Sequence, residues 1–295
     1  MQKEINKSTF QCRLCNSKDI SLKYEFDSCK VGFCKDCGFI QVLVKPTNEE
    51  LFKIYDSEYF KRGKYVQDKA IDLENKRRID WLFKNGIKKG ARVLDVGCAT
   101  GDFIKVSEDK FDIWGLDISE FAVNQARLNN PHVSDKIRAG KIEDQDFPDN
   151  FFDAICLWDV IEHLWDPKET VTKLARMLKP GGILAISTPN IGALTARIMG
   201  KHWHFMTVPE HLSFFSKSTI NSLFKTTGLT CVNWMTKGKW VNVNFLLHKF
   251  NKTFPNLIPG RLLKWLQQKR KISNIILYIP TGDIQYIIVS YLKNN

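Results

Sequence analysis

Two groups of residues in this chain have the types and spacing to do chemistry. The first is a set of cysteines. Cys12 and Cys15 are separated by two residues, Cys34 and Cys37 likewise, and eighteen residues lie between the pairs. Each Cys-x2-Cys makes a tight knuckle presenting two thiolates, and two knuckles complete a tetrahedron, the donor set of a zinc ribbon. Four thiolates close the coordination sphere, so the predicted zinc is structural rather than catalytic. Paired disulfides are the alternative, disfavoured in a cytoplasmic chain. A segment of 45 residues with little apolar content would hardly hold a fold without metal. Gly38 follows the second knuckle, where a residue able to take positive φ is useful. Cys29 is left over and reads as a spare buried thiol.

The second group begins at Arg92-Val93-Leu94-Asp95-Val96, a β-branched and apolar run that reads as a buried parallel strand. The run stops at Gly97, and Gly101 follows four residues on. Apolar spacing then restarts at helical period through Phe103, Ile104 and Val106. Strand, glycine-rich turn and helix together aim backbone N–H groups and a helix N-terminus at a ligand. Gly97 and Gly101 are predicted to let the backbone approach that ligand where a Cβ would clash. Ile113 to Asp117 reads as the next strand. Its closing acid, twenty-two residues beyond Asp95, is placed to accept hydrogen bonds from ribose hydroxyls. The pattern argues against a dinucleotide, because G-x-G-x-x-G would need glycine at Ala99 and Asp102.

Arg92 to Phe103 instead resembles motif I of class I S-adenosylmethionine (SAM) methyltransferases, with Asp117 as the acid closing their second strand and Ala99 in place of the family's middle glycine. The resemblance extends to Leu292. It implies SAM as cofactor, with Asp95, Gly97 and Gly101 at the methionine end, Asp117 at the ribose, and Ile142 with Glu143 at the adenine. Cys98, Ile118 and Trp158 complete the implied cofactor-binding set. For Glu143, an exposed polar turn is the alternative.

Phe152 to Leu157 reads as the fourth strand, and Trp158-Asp159-Val160-Ile161-Glu162-His163 follows. The run from Asp153 to Gly182 resembles the ubiquinone- and polysaccharide-type methyltransferases, in which the acid–His pair, here Glu162-His163, lies on the acceptor side of the pocket. The pKa range of imidazole suits proton removal from a hydroxyl near neutrality, which makes His163 a candidate base. A histidine that pins its own turn is the alternative. In ubiquinone-type enzymes an acid-x-x-Glu-His pattern is linked to a divalent ion, and Asp159, Glu162 and His163 fit it loosely. Ala196 to Phe215 is dense in His202, Trp203, His204, Phe205 and His211 and is predicted to be a lid over the acceptor. It resembles the insertion of the same families, where Pro-Glu-His-Leu recurs, so His211 is a second candidate base.

These groups must be carried by larger elements. At 295 residues the chain has room for one large domain and a small one. The expected fold is α/β: a doubly wound, Rossmann-like seven-stranded sheet from residue 91 to 295, preceded by a ribbon over 1–45 and a helical segment over 46–90. In that segment Glu49 to Asp56 suggests a short helix and Lys69 to Lys84 a longer one, with Ile71, Ile79, Leu82 and Phe83 at core spacing. Tyr55, Tyr59, Phe60 and Tyr65 either line the pocket or pack the helix onto the sheet. Insertions are expected at 189–215 and 237–283, with Leu229 to Met235 and Asp283 to Leu292 as the last strands.

The net charge of +12 is unevenly spread. Residues 1–187 are neutral, whereas Thr188 to Asn295 holds 14 Lys and Arg against Glu210 and Asp283. This end therefore suits an anionic partner: a phosphorylated substrate, an anionic lipid surface or RNA. Leu262, Leu263, Trp265 and Leu266 among Arg261, Lys264, Lys269, Arg270 and Lys271 form a basic amphipathic helix, which either lies on a membrane surface or packs on its own domain. A polar start and the lack of an 18-residue apolar run lead us to expect a cytoplasmic protein, peripheral to the membrane at most. The ribbon joined to such a domain points by analogy to O-methylation of a sugar, glycan or other small or lipid-linked hydroxyl acceptor in surface polysaccharide biosynthesis. An RNA methyltransferase is one rival, although the near-neutral ribbon weakens nucleic acid as a partner. A non-enzymatic SAM-binding protein is the other.

Overall fold

The computed structural model describes residues 10–47, 69–243 and 275–291, with single positions at 50, 247, 251 and 265. Its centre is a seven-stranded sheet. The strands are β4 (Arg92–Val96), β5 (Asp112–Asp117), β6 (Ile137–Ala139), β7 (Phe152–Trp158), β8 (Leu178–Pro189), β10 (Leu229–Asn242) and β11 (Ile276–Tyr291), in the order β10-β11-β8-β7-β4-β5-β6. Strands β4 to β8 pair in parallel, and β11 inserts antiparallel between β8 and β10. From β4 the chain winds outward through β5 and β6, then returns to start again at β7. The order thus reverses between β4 and β7, which opens a crevice at the carboxyl ends of those strands. This is the doubly wound sheet expected from the sequence.

Alternate residues of each strand feed opposite faces, as the two-residue period demands. Leu94, Leu157, Leu184 and Ile287 enter one core with the helices α4 (Pro167–Met177) and, beyond the short α5 (Leu194–Met199), α6 (Lys217–Thr226). Val93, Cys156, Ala185 and Tyr286 enter the other, with α1 (Lys69–Lys84), α2 (Asp102–Ser107) and α3 (Glu120–Asn129). In α1, Ile79 and Leu82 are buried as their spacing requires. Phe83, however, is 39% exposed, and Trp81 takes the core position instead. The expected helix over Glu49 to Asp56 and the aromatics Tyr55, Tyr59, Phe60 and Tyr65 lie outside the described residues, apart from Glu50, as does all of the basic amphipathic segment except Trp265.

Two boundaries differ from the sequence reading. Strands β10 and β11 form one long hairpin pair registered from Leu229↔Tyr291 to Asn242↔Ile276, so residues 237–242 and 276–283 continue the sheet instead of leaving it. The ribbon strands β1 (Ile20–Glu25), β2 (Lys30–Cys34) and β3 (Ile40–Val42) also acquire a fourth partner. This is β9 (Ser213–Phe214), from the lid, which pairs antiparallel with β3. Phe39 packs on Phe215 with ring centroids 5.2 Å apart, and Cys12, Leu14 and Cys34 share the core of α4 and α6. Among the described residues, no helix is long and apolar enough to cross a membrane.

Candidate active site

The four ribbon cysteines converge. Cys12 Sγ and Cys37 Sγ are 3.6 Å apart, Cys15 and Cys34 likewise, and one ligand atom from each lies within 4.8 Å of the others. Tetrahedral zinc with Zn–S near 2.3 Å places sulfurs about 3.8 Å apart, so the donor set fits. Burial pushes the Cys12 thiol up to about 11 and the Cys37 thiol higher still, whereas at Cys34 burial is outweighed by backbone N–H groups and Cys15, which lower it; a bound cation would favour the thiolate form of all four.

At the crevice, β4 carries Asp95, 3% exposed, one residue before its end, and β5 ends with Asp117, 9% exposed. Burial pushes Asp95 up to about 7, with Asp117 adding to the rise and Arg78 opposing it. Asp117 spans two turns: one oxygen accepts Ala99 N–H at 2.9 Å and the other Ser119 N–H at 2.9 Å. Its pKa is raised by burial against those two amides. The acid at the end of the second strand is therefore locked to the glycine turn of the first. Ile118, next to it, is 54% exposed at the crevice mouth.

The glycines also make close approaches within the protein. Both have positive φ, 77° at Gly97 and 84° at Gly101. A Cβ on Gly97 would lie 2.5 Å from Val160 Cγ2, and one on Gly101 2.3 Å from Asn130 Nδ2. The close approach is thus to neighbouring turns of the protein itself, which packs the motif tightly beneath the crevice.

Four members of the implied cofactor set are engaged by the protein's own packing and hydrogen bonds. Cys98 is 4% exposed and packs under the turn with Ile104, Ile113 and Ile137, so only its backbone remains near the crevice. Glu143 accepts a hydrogen bond from Thr170 Oγ1 at 2.6 Å and so points toward α4, while Ile142 is buried at 5% in the core. Trp158 is 7% exposed, packed edge-on against Phe103 with centroids 5.7 Å apart and tilted on Tyr286.

Arg78 covers that indole. Its guanidinium lies 5.2 Å from the Trp158 ring, donates to Asp159 Oδ2 at 3.2 Å and to Asn75 Oδ1 at 3.0 Å, and holds its Nε buried without a hydrogen-bond partner among the described residues. Sequence reasoning missed it. The available signal was Asn75 and Arg78 lying beside Ile79 and Leu82 on the packing side of α1, where polar side chains call for a reason.

Past Trp158 the chain takes positive φ at Asp159 (58°) and a single turn, Ile161–His163. Glu162 is 2% exposed; burial, then the nearby Asp159, pushes it up to about 8, and Thr188 Oγ1 donates to it at 2.8 Å. His163 Nδ1 is 2.9 Å from Glu210 O, and His211 Nδ1 is 2.7 Å from Phe205 O. A carbonyl only accepts, so both rings carry their proton on Nδ1, and Nε2 holds the lone pair in the neutral form. The two rings meet edge to face, with centroids 4.7 Å apart. One ligand atom each of Glu162, His163 and His211 lies within 4.8 Å of the other two. Sequence reasoning named both histidines as separate candidates, and the fold brings them together. Two imidazoles and a carboxylate also match the donors of a divalent-ion site, and carbonyl-held rings are how such ligands are oriented.

The lid is partly structural. Trp203 is buried at 2% among Val31, Ile40 and Val42 of the ribbon, whereas His202 is exposed. His204 Nε2 is 3.4 Å from Asp283 Oδ2, joining the lid to the start of the closing strand's inner half.

The sequence profile of a methyltransferase domain family matches residues 67–233, more than half of the chain. The chain belongs to this methyltransferase family. With the crevice acids, the glycine turn and the doubly wound sheet, it is a class I SAM-dependent methyltransferase. Similar curated proteins include a ubiquinone biosynthesis O-methyltransferase of Aromatoleum aromaticum, 27% identical over 201 residues, 61% of this chain and 86% of that one. Another, from Dechloromonas aromatica, is 32% identical over 120 residues, but the match spans only 39% of this chain and 52% of the relative. In fold, the chain is similar to a SAM-dependent methyltransferase from Archaeoglobus fulgidus (TM-score 0.53, 18% identity, covering 79% of this chain and 99% of that one). A protein from Pyrococcus horikoshii aligns comparably (TM-score 0.51, 18% identity, 80% and 99%). The curated relatives named here are ubiquinone enzymes; neither is named for a surface glycan.

Proposed function

We propose that this methyltransferase transfers its methyl group to a hydroxyl of a small acceptor, and that the paired His163 and His211 form the acceptor end of the site. The observation that carries the reading is the convergence of both imidazoles, each aligned by a backbone carbonyl on Nδ1, beside buried Glu162. A hydroxyl needs its proton removed as it attacks, and Nε2 is the atom of each ring able to receive it.

SAM, when bound, supplies a methyl on a sulfonium, an excellent leaving group, so the protein mainly positions donor and acceptor. Asp95 and Arg78 offer opposite charges to the ammonium and carboxylate of the methionine end. Asp117, held rigid by its two backbone amides, presents its remaining lone pairs to the ribose. Ile118 offers apolar surface to the adenine, and Ile142 supports that wall from within the core. Trp158 backs Arg78. Glu143, whose Oε1 accepts from Thr170 on α4, keeps its second carboxylate oxygen for the adenine amine.

A second reading rests on the same trio: Glu162, His163 and His211 would hold a divalent ion that lowers the pKa of the acceptor hydroxyl. The acceptor class is supported by the ubiquinone O-methyltransferase relatives. A phenol or other small hydroxyl therefore comes ahead of a glycan, and the surface-polysaccharide reading rests on analogy alone. RNA and an anionic membrane surface remain proposals tied to the basic C-terminal part.

Labelled SAM, purified protein and cell extract fractionated into lipid, small polar and RNA pools test the reading. Nuclease-resistant label in the lipid or small polar pool is expected. Label confined to nuclease-sensitive material would overturn it and make the basic C-terminal part an RNA grip.

A further inference from the structure

Arg13 lies between two of the cluster cysteines, Cys12 and Cys15, and its side chain bridges from the ribbon to the methyltransferase domain. One terminal nitrogen donates to Trp165 O at 2.6 Å, and the other to Leu212 O at 2.6 Å and Val42 O at 3.4 Å. The guanidinium lies over the Trp165 ring, 4.1 Å from its centroid. Its Nε and the Arg13 backbone N–H both reach Oε1 of buried Gln41, at 3.4 and 2.9 Å, and Gln41 Nε2 ties back to Gln11 O at 2.9 Å.

Leu212 follows His211 directly. Its carbonyl accepts from Arg13 and also from Val42 N–H at 2.9 Å, while its own N–H donates to Glu162 O at 2.8 Å. The peptide carrying His211 is thus held between the ribbon on one side and the backbone of Glu162 on the other. Ser213 Oγ adds a bond to Leu164 O at 3.2 Å, and Ile40 and Gln41 pair with Phe214 and Ser213. None of the Arg13 contacts touches Asp95, Asp117 or the Gly97–Gly101 turn.

We infer that Arg13 is a positioning residue for His211: the zinc-bound knuckle aims the guanidinium at Leu212, so the ribbon sets the geometry of methyl transfer without setting SAM binding. The inference deepens the hydroxyl-acceptor reading and rests on it for its effect on turnover. It also explains why an arginine is used. A planar fork can reach two carbonyls on different loops while stacking on an indole, whereas an ammonium has one nitrogen and no face. A ribbon with closed zinc coordination would then act on catalysis purely through the backbone it grips.

The test is Arg13→Lys in the full chain, with Trp165→Leu as a second variant that weakens the same clamp should the first fail to fold. Both are expected to retain one zinc per chain by metal analysis and to bind SAM within about twofold of wild type by calorimetry. Turnover is expected to fall tenfold or more, since displacements near 1 Å at a reacting group have effects of about a hundredfold. The ring N–H and C–H signals of His211 and His163 in heteronuclear NMR are expected to shift or broaden. Unchanged turnover and unchanged imidazole signals with zinc retained would overturn the inference. So would zinc, SAM affinity and turnover falling together, which would make Arg13 a plain structural residue. If wild type transfers no methyl to any hydroxyl pool, the functional reading fails. The imidazole signals still decide whether Arg13 positions His211.

Discussion

The imidazole rings of His163 and His211, forty-eight residues apart in the chain, meet edge to face with centroids 4.7 Å apart, each held by a backbone carbonyl. One ring alone can accept the acceptor's proton; the other keeps it oriented. Replacing His163 by Ala is expected to lower kcat by about 10²- to 10⁴-fold, the usual contribution of a positioned base. SAM affinity by calorimetry should stay close to wild type. His211→Ala should behave similarly. A His163→Ala enzyme with full turnover would remove that residue from the mechanism.

Chelation separates the two chemistries open to the trio. With the histidines as bases, turnover is expected to survive dialysis against a chelator as long as any metal held by the four cysteines is retained, as metal analysis will report. Loss of turnover that returns with added Mg2+ or Mn2+ would instead assign Glu162, His163 and His211 to a divalent ion.

Arg78→Met keeps the stem over Trp158 and removes the charge between Asp95 and Asp159. Hydrogen bonds to charged groups contribute about 1.5–3 kcal/mol. The SAM dissociation constant should therefore rise tenfold or more, measured by calorimetry, with a smaller change in acceptor KM. Unaltered SAM binding would leave Arg78 as a purely structural partner of Asp159.

Asp95 gives the site a pH dependence of known sign. Its folded value of about 7 lies above the usual carboxylate value near 3.9. The folded protein thus holds a proton that the unfolded chain has lost, and this group's contribution to stability falls as pH rises from about 4 to 7. SAM carries a sulfonium and an ammonium, which favour the ionised carboxylate. SAM affinity should therefore weaken as pH falls below 7, by up to about tenfold per unit. Binding isotherms for wild type and Asp95→Asn check this, since the slope should flatten in the variant.

Gly101→Ala would place a Cβ 2.3 Å from Asn130 Nδ2 at φ 84°. Strain of about 1–3 kcal/mol is expected. A matching drop in denaturant midpoint should appear even without SAM, which separates packing within the protein from contact with the ligand.

The strand–turn–helix from Arg92 to Phe103, Asp117 and the two Cys-x2-Cys knuckles were legible in sequence because each is local. Hydrophobic period, positive-φ glycine and ligand spacing act over a few residues, and the geometry follows from the chain's own stereochemistry. Only the tertiary structure decided that Asp117 bridges Ala99 and Ser119, that Gly97 and Gly101 pack against Val160 and Asn130, and that Glu143 turns to Thr170. It also decided that β3 pairs with β9, so that Arg13 reaches Leu212 across nearly two hundred residues. Such partners are chosen by which buried donors and acceptors must be satisfied once the sheet and ribbon pack together. That choice is made in space, between residues whose separation along the chain carries no period to read.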